Sequence, residues 1–260
     1  MNPQDIQGIG QQLHQALSNR QALAPLTDAN PDMTLEQAYQ VQLAMIQPRL
    51  DAGERVVGKK IGVTSKVVMD MLGVDQPDFG HLLTDMLYAD GASIAIDSLI
   101  APKAEGEIAF VLKDDLRGPG ITVADVLRAT AYVMPCFEIV DSRIRDWKIR
   151  IQDTVADNAS AGAFVLGDQG VDPRDVDLAC VGMTLEKNGE VVATGAGAAA
   201  LGHPANAVAW LANTLGQLGI GLNKGEVILS GSLAAMVPVQ AGDQLRISLG
   251  GIGSASVRFV

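Results

Sequence analysis

The sequence predicts an α+β chain with a helical start and a strand-rich remainder, densest in strands after residue 180. Three observations carry that expectation. Apolar residues recur at helical spacing through residues 1–50, alternating apolar runs begin at Arg55, and Asn188-Gly189 separates two alternating segments. The chain is 48% hydrophobic and 19% charged, a balance that suits a packed core and not a disordered tail.

Ile6, Ile9, Leu13 and Leu17 mark the inner side of a first helix. After a loop holding Pro25, Asn30 and Pro31, Thr34-Leu35-Glu36-Gln37 reads as a capping box that opens a second helix. Leu35, Tyr39, Gln42, Met45 and Ile46 face inward on it, and it should end near Gly53. Residues 1–54 are therefore expected to form a helical N-terminal lobe serving packing, a lid or an oligomer contact, with residues 55–260 as the catalytic domain.

Residues 55–64 read as a strand in which Lys59 and Lys60 point to opposite faces. Two readings stay open for them: solvated lysines at a strand edge, or a desolvated lysine whose pKa falls towards neutrality so that it serves as a base. Lys66–Leu72 reads as a short helix, and Gln76-Pro77-Asp78-Phe79-Gly80 as a turn. A short strand is expected at 93–96, a loop at 114–122, and a helix at 123–131 capped by Thr122.

The chemistry-bearing stretch is 103–143. Alternation places Glu105 and Glu107 on one face with Ala109 and Val111, and Glu138 lies with Cys136 and Val140 in a second β-like run. Three carboxylates converging from two strands make a hard, all-oxygen site suited to Mg²⁺ or Mn²⁺ rather than Zn²⁺. The three histidines, His14, His81 and His203, and the two cysteines, Cys136 and Cys180, show no zinc spacing. The competing reading leaves Glu105 and Glu107 on a solvated face and pairs Glu138 with an arginine such as Arg143. Residues 143–148 read as charged, with most of the charges in water. Within 153–160, Ser160 offers a hydroxyl either to loop capping or to a substrate carboxylate.

Beyond residue 180, Asn188-Gly189 marks a type I′ hairpin, and Gly195 to Gly202 reads as a close-packed turn without phosphate-loop chemistry. His203-Pro204 opens a helix through Leu218, with His203 structural. Two or three strands should follow, with turns at Gly231, Gly242 and Gly250-Gly251.

A formal charge of −11 argues against a nucleic-acid surface and means that an anionic substrate needs a local cation. No apolar run reaches the ~18 residues of a membrane span, and the first thirty residues hold no basic, apolar, cleavable leader. The expected location is the cytoplasm, with both cysteines reduced.

The runs Gly58-Lys59-Lys60-Ile61-Gly62-Val63-Thr64-Ser65, Gln76-Pro77-Asp78-Phe79-Gly80, Ala104-Glu105-Gly106-Glu107-Ile108, Glu138-Ile139-Val140-Asp141-Ser142-Arg143 and Asp153-Thr154-Val155-Ala156-Asp157-Asn158-Ala159-Ser160 together resemble one family. It is the hydratase/decarboxylase branch of the fumarylacetoacetate hydrolase superfamily, and the resemblance runs from Pro25 to Val260. It implies a mixed β-roll or barrel-like fold behind the helical lobe, a homo-oligomer, and in some members association with a pathway decarboxylase.

The resemblance also implies roles. Glu105, Glu107 and Glu138 would bind Mg²⁺ or Mn²⁺, and Lys60 is singled out over Lys59. Lys60 would transfer a proton, Asp78 would orient or deprotonate water, with these two roles interchangeable, and Ser160 would contact the substrate carboxylate. The implied reaction adds water to 2-hydroxypenta-2,4-dienoate, a product of aromatic meta-cleavage. Asp78 favours this over the sister decarboxylation of a 2-oxo-hexenedioate (4-oxalocrotonate), because decarboxylases of the family tend to carry an apolar residue there. The resemblance is also compatible with a hydratase for a longer 2-oxo-dienoate and with a silent partner subunit of the decarboxylase. Superfamily hydrolases use a His–Glu pair, and the sequence offers no convincing one.

Overall fold

The computed structural model describes residues 1–260. Helix α1 (Pro3–Asn19) starts with a reciprocal cap between Asn2 and Asp5, and a single turn, α2 (Leu26–Ala29), follows. Helix α3 (Leu35–Asp51) opens on the expected Thr34–Gln37 box, in which Thr34 Oγ1 accepts from the Gln37 N–H and Gln37 Oε1 from the Thr34 N–H. Ile6, Ile9 and Leu13 pack on Val41 and Met45, and Ile144, Ile151 and Val155 from much later in the chain complete that core.

The strands and helices that follow are β1 (Val56–Gly62), α4 (Lys66–Leu72), β2 (Asp78–Leu83), β3 (Leu87–Tyr88), β4 (Ser93–Ile94), β5 (Pro102–Leu112), α5 (Val123–Ala129), β6 (Thr130–Asp141), α6 (Ile151–Ala156) and β7 (Ala161–Leu166). The hairpin β8 (Gly182–Lys187) and β9 (Glu190–Ala196) comes next, then α7 (Pro204–Gln217), β10 (Val227–Leu229), β11 (Val237–Pro238), β12 (Gln244–Leu249) and β13 (Gly253–Phe259). One sheet runs in the order β2-β1-β10-β5-β6-β7-β3, with β11 on the start of β5, and the smaller one in the order β4-β13-β12-β8-β9.

The long strands β5 and β6 serve both faces. Ile108, Phe110, Phe137 and Ile139 pack towards Met183, Leu185, Ile247 and Val257 of the smaller sheet. Ala109, Met134 and Cys136 turn the other way, against Leu82, Leu83 and Phe164. Since successive side chains alternate, Glu105, Glu107 and Glu138 belong to this second face.

Several expectations hold. Asn188 (φ 55°) and Gly189 (φ 84°) make the hairpin turn, and His203 caps α7 by accepting from the Ala205 N–H at 3.0 Å. Others need correcting. Four strands, not two or three, follow Gly225. Asp78 is not in a turn: it begins β2, antiparallel to β1, with Gly62 opposite Asp78 and Lys60 opposite Gly80. Pairing along β1 overrides the local turn chemistry of Pro77, Asp78 and Gly80, because a neighbouring strand satisfies the backbone better than a turn does. β1 is interior, between β2 and β10, so neither lysine sits at an edge; both are buried.

Candidate active site and metal centre

Antiparallel pairing sets Glu105 of β5 directly opposite Glu138 of β6, with Glu107 one pleat further along. One carboxylate oxygen from each lies within 4.8 Å of the others. Glu107 and Glu138 are fully buried. Glu107 Oε2 accepts from the Gly231 N–H at 2.7 Å, while its Oε1 and both Glu138 oxygens lack a hydrogen-bond donor. Lys60 Nζ does lie 3.0 Å from Glu138 Oε1, near enough for an ion pair but out of hydrogen-bond alignment.

Buried carboxylates without donors are costly, and here they are crowded as well. Burial and the neighbouring Glu138 push Glu105 up to about 7. Burial, then Glu138 and Glu105, push Glu107 well above the usual range; Glu138 is raised by burial although Lys60 pulls it down. Three clustered strand-borne carboxylates, with unsatisfied oxygens on Glu107 and Glu138 and no histidine or thiolate among them, fit a hard divalent cation.

Lys60 and Asp78 stand beside this cluster. Lys60 Nζ donates to the Ala159 carbonyl at 2.9 Å. Neither Asp78 oxygen has a well-aligned hydrogen-bond donor; burial raises its carboxyl, and Lys60, then the nearby backbone N–H groups of Gly62 and Asp78, counter. Gly62 leaves room for it, since a Cβ there would meet Asp78 Oδ1 at 2.3 Å and push the carboxylate aside. Lys60 is not the unpaired lysine for which a lowered pKa is expected, since in the metal-free chain it stands among four carboxylates. Burial does pull its pKa down, but Glu138, Asp78, Glu105 and Glu107 together outweigh that and hold the ammonium charged.

Ser160 is buried, with its hydroxyl donating to Asp157 Oδ2 at 3.3 Å, next to the carbonyl that holds Lys60. Arg143 pairs with Asp157 rather than Glu138, Nε to Oδ1 at 2.6 Å, and is fully buried, unlike the exposed Arg145, Asp146 and Lys148. None of the histidines joins the glutamates. His81 Nδ1 lies 3.0 Å from Gln42 Oε1, and burial lowers that ring's pKa to about 4.

The model of the Fumarylacetoacetate (FAA) hydrolase C-terminal family matches residues 60–260, the span that holds all of these groups. The chain belongs to the fumarylacetoacetate hydrolase family. It is 58% identical over 258 residues to a 2-hydroxyhexa-2,4-dienoate hydratase of Comamonas testosteroni, covering 98% of each chain. To a 2-hydroxypent-2,4-dienoate hydratase of Pseudomonas putida it is 62% identical over 216 residues, 83% of this chain and 97% of the relative. Its fold matches the 4-oxalocrotonate decarboxylase of Pseudomonas putida G7, complexed with magnesium and adipate, at a TM-score of 0.97 and 38% identity, over 100% and 99% of the two chains. The same decarboxylase was also solved with calcium and acetate. The expected fold, a mixed β architecture of this family with helices at its N-terminus, is thereby established, and a divalent metal accords with both solved neighbours.

On this fumarylacetoacetate hydrolase scaffold a cavity of about 600 Å³ opens against Asp78, walled by Leu35, Tyr39, Val74, Ile151 and Val155. Asp70 and Asp75 also border it, and no Lys, Arg or His does. A smaller groove of about 330 Å³ between α1 and α3 holds no titratable group.

Sequence reasoning missed two groups of residues. Lys59 Nζ lies 2.8 and 2.9 Å from the two oxygens of Glu226, a buried pair spanning 167 residues with no local signal. Asn158, Ala159 and Ser160 are three successive non-glycine residues at φ 53°, 49° and 54°. Each such residue costs about 1–2 kcal/mol. Only Asn158, of a type that tolerates this region, hints at it in the sequence.

Proposed function

We propose that the protein is a divalent-metal-dependent hydro-lyase that adds water to 2-hydroxypenta-2,4-dienoate, forming 4-hydroxy-2-oxopentanoate in the cytoplasmic breakdown of aromatic meta-cleavage products. The observation that carries this reading is a cluster of three glutamates, two of which, Glu107 and Glu138, have buried oxygens without donors, flanked by a buried Lys60 and a buried Asp78. Glu105, Glu107 and Glu138 would hold Mg²⁺ or Mn²⁺. Such an ion supplies positive charge to the substrate's C1 carboxylate and C2 oxygen.

The chain's own groups do the rest. As the enol proton leaves the C2 oxygen, C5 takes a proton, the remaining double bond moves into conjugation, and C4 becomes electrophilic. Lys60, whose Nζ lies beside Glu138 and is bonded to the Ala159 carbonyl, is placed to deliver the C5 proton. Asp78 orients the water whose oxygen joins C4, accepts its proton and passes it to C3, while the proton released from the C2 oxygen restores Lys60, so that both groups end as they began. Ser160 contributes its hydroxyl to the carboxylate end once released from Asp157. No nucleophilic serine or cysteine is needed.

The cavity favours hydration over the sister decarboxylation. A 2-oxo-hexenedioate carries a second carboxylate, and a cavity walled by Leu35, Tyr39, Val74, Ile151 and Val155, by the amides of Gln76 and Gln152 and by aspartates gives it no cation. The same wall accepts an apolar tail, which agrees with the hexadienoate hydratase relative. A silent partner subunit has no use for buried carboxylates that lack donors, which cost stability when left empty. The active form is a homo-oligomer, able to associate with the pathway decarboxylase, and residues 1–54 form the helical lobe that closes the cavity through Leu35 and Tyr39.

The test is to follow absorbance loss of freshly generated 2-hydroxypenta-2,4-dienoate after chelation and after Mg²⁺ or Mn²⁺ is added back. Metal-restored turnover to 4-hydroxy-2-oxopentanoate is expected. Carbon dioxide release from 2-oxo-hexenedioate without dienoate hydration would make the protein a decarboxylase instead.

A further inference from the structure

The Asn158–Ser160 segment is unusual in its backbone. Three non-glycine residues in succession hold left-handed angles, a conformation that persists only where its surroundings over-determine it. The middle carbonyl, that of Ala159, is the one neutral group bonded to Lys60 Nζ; the amine's other near partner is the Glu138 carboxylate.

One end of the segment is pinned to β2, and the other to Arg143, two residues past the end of β6. Asn158 Oδ1 accepts from the His81 N–H at 2.8 Å and its Nδ2 donates to the His81 carbonyl at 2.9 Å, so one side-chain amide pairs with β2 as a strand would, three residues beyond Asp78. Gly80 allows this approach, because a Cβ there would lie 2.4 Å from the Asn158 carbonyl oxygen. On the other side, Arg143, five residues beyond Glu138, grips Asp157 through Nε at 2.6 Å and its backbone N–H at 3.0 Å, and reaches the Ala161 carbonyl at 2.9 Å. The Ser160 N–H closes the turn on the Asp157 carbonyl at 2.9 Å.

We propose that this left-handed strap fixes the Lys60 amine in register with Asp78 and the glutamates, with Asn158 and Arg143 as positioning residues and the Ala159 carbonyl as the contact. It is one brace joining the three strands that carry Glu138, Lys60 and Asp78. The proposal rests on the hydratase reading and assigns how its proton-transfer group is aimed.

Ala159→Gly separates aim from stability, because glycine adopts the left-handed angle freely but also leaves it freely. The thermal midpoint should be unchanged or higher, while kcat falls about tenfold with KM held within about twofold. Mn²⁺ affinity should be unaltered. Asn158→Ala, which removes both bonds to β2, should lower kcat in the same way, with a lower midpoint. A purely structural strap predicts wild-type kcat for Ala159→Gly at the same unchanged or raised midpoint, and that result would overturn the proposal. So would a loss of kcat matched by loss of Mn²⁺, or an Ala159→Gly protein that fails to fold. Wild-type protein that does not hydrate the dienoate in the same assay overturns the hydratase reading and this inference with it.

Discussion

Lys59 and Lys60 are neighbours on β1 and both are buried, but their surroundings are finished differently. On one face, Lys59 meets a single carboxylate, Glu226, whose two oxygens also take bonds from the Asn223 N–H at 3.1 Å and Asn223 Nδ2 at 3.0 Å. Every charge there has its partner. On the other face, Lys60 stands among four carboxylates, and oxygens of Asp78, Glu107 and Glu138 have no donor. A closed pair is architecture; an unbalanced cluster is a site suited to a cation and a substrate.

That contrast breaks most clearly at Lys60. Lys60→Met should lower kcat by about 10²–10⁴-fold, the usual worth of a positioned proton-transfer group. In the metal-loaded protein its thermal midpoint should change little, since the carboxylates it leaves are shared with the cation. Steady-state kinetics beside a melting curve decides it. Equal loss of stability and activity would make Lys60 a structural lysine like its neighbour.

Lys59→Met should do the reverse. It leaves Glu226 buried without its counter-charge, a change costing about 3–5 kcal/mol in denaturant unfolding. The protein that remains folded should keep its kcat. Loss of turnover without loss of stability would place Lys59 in the chemistry and dissolve the distinction between the two faces.

The smallest effect is in pH. With Glu105 raised to about 7 from its ordinary 4.5, the metal-free folded chain takes up a proton before the unfolded one does as pH falls. Metal-free stability contributed by this group therefore rises as pH falls from about 7 to 4.5. Protons and the cation compete for the same oxygens, so the midpoint gained on adding Mg²⁺ should be largest above pH 7 and shrink through that window. His81, neutral down to about 4, acts in the opposite direction between its ordinary 6.5 and 4, but equally with and without metal, so it cancels in the difference. A pH-independent gain would mean that the cation does not bind these glutamates.

Much of this was legible in the sequence where the cause is local. The Thr34–Gln37 box, the Asn188-Gly189 turn and the opposed lysines follow from short-range geometry. Period-two alternation likewise put Glu105 and Glu107 on a common face. What escaped depends on distant partners. β2 forms because β1 lies beside it, although Pro77, Asp78 and Gly80 read as a turn. Arg143 is buried because Asp157 and the carbonyls of Asp141 and Ala161 surround its guanidinium, and no feature of the charged run 143–148 announces that. The direction of the Lys60 shift needed four carboxylates gathered from three strands, and the strap at 158–160 needed its clamps on β2 and Arg143.

The most direct test of the unbalanced face is a Mn²⁺ titration of chelator-stripped protein, wild type beside Glu107→Gln, with dienoate turnover read at each point. The expected result is one ion per chain in the wild type, turnover rising in step with occupancy, and neither in the variant. Equal Mn²⁺ binding by the two proteins, or full turnover by stripped wild type, would contradict the account.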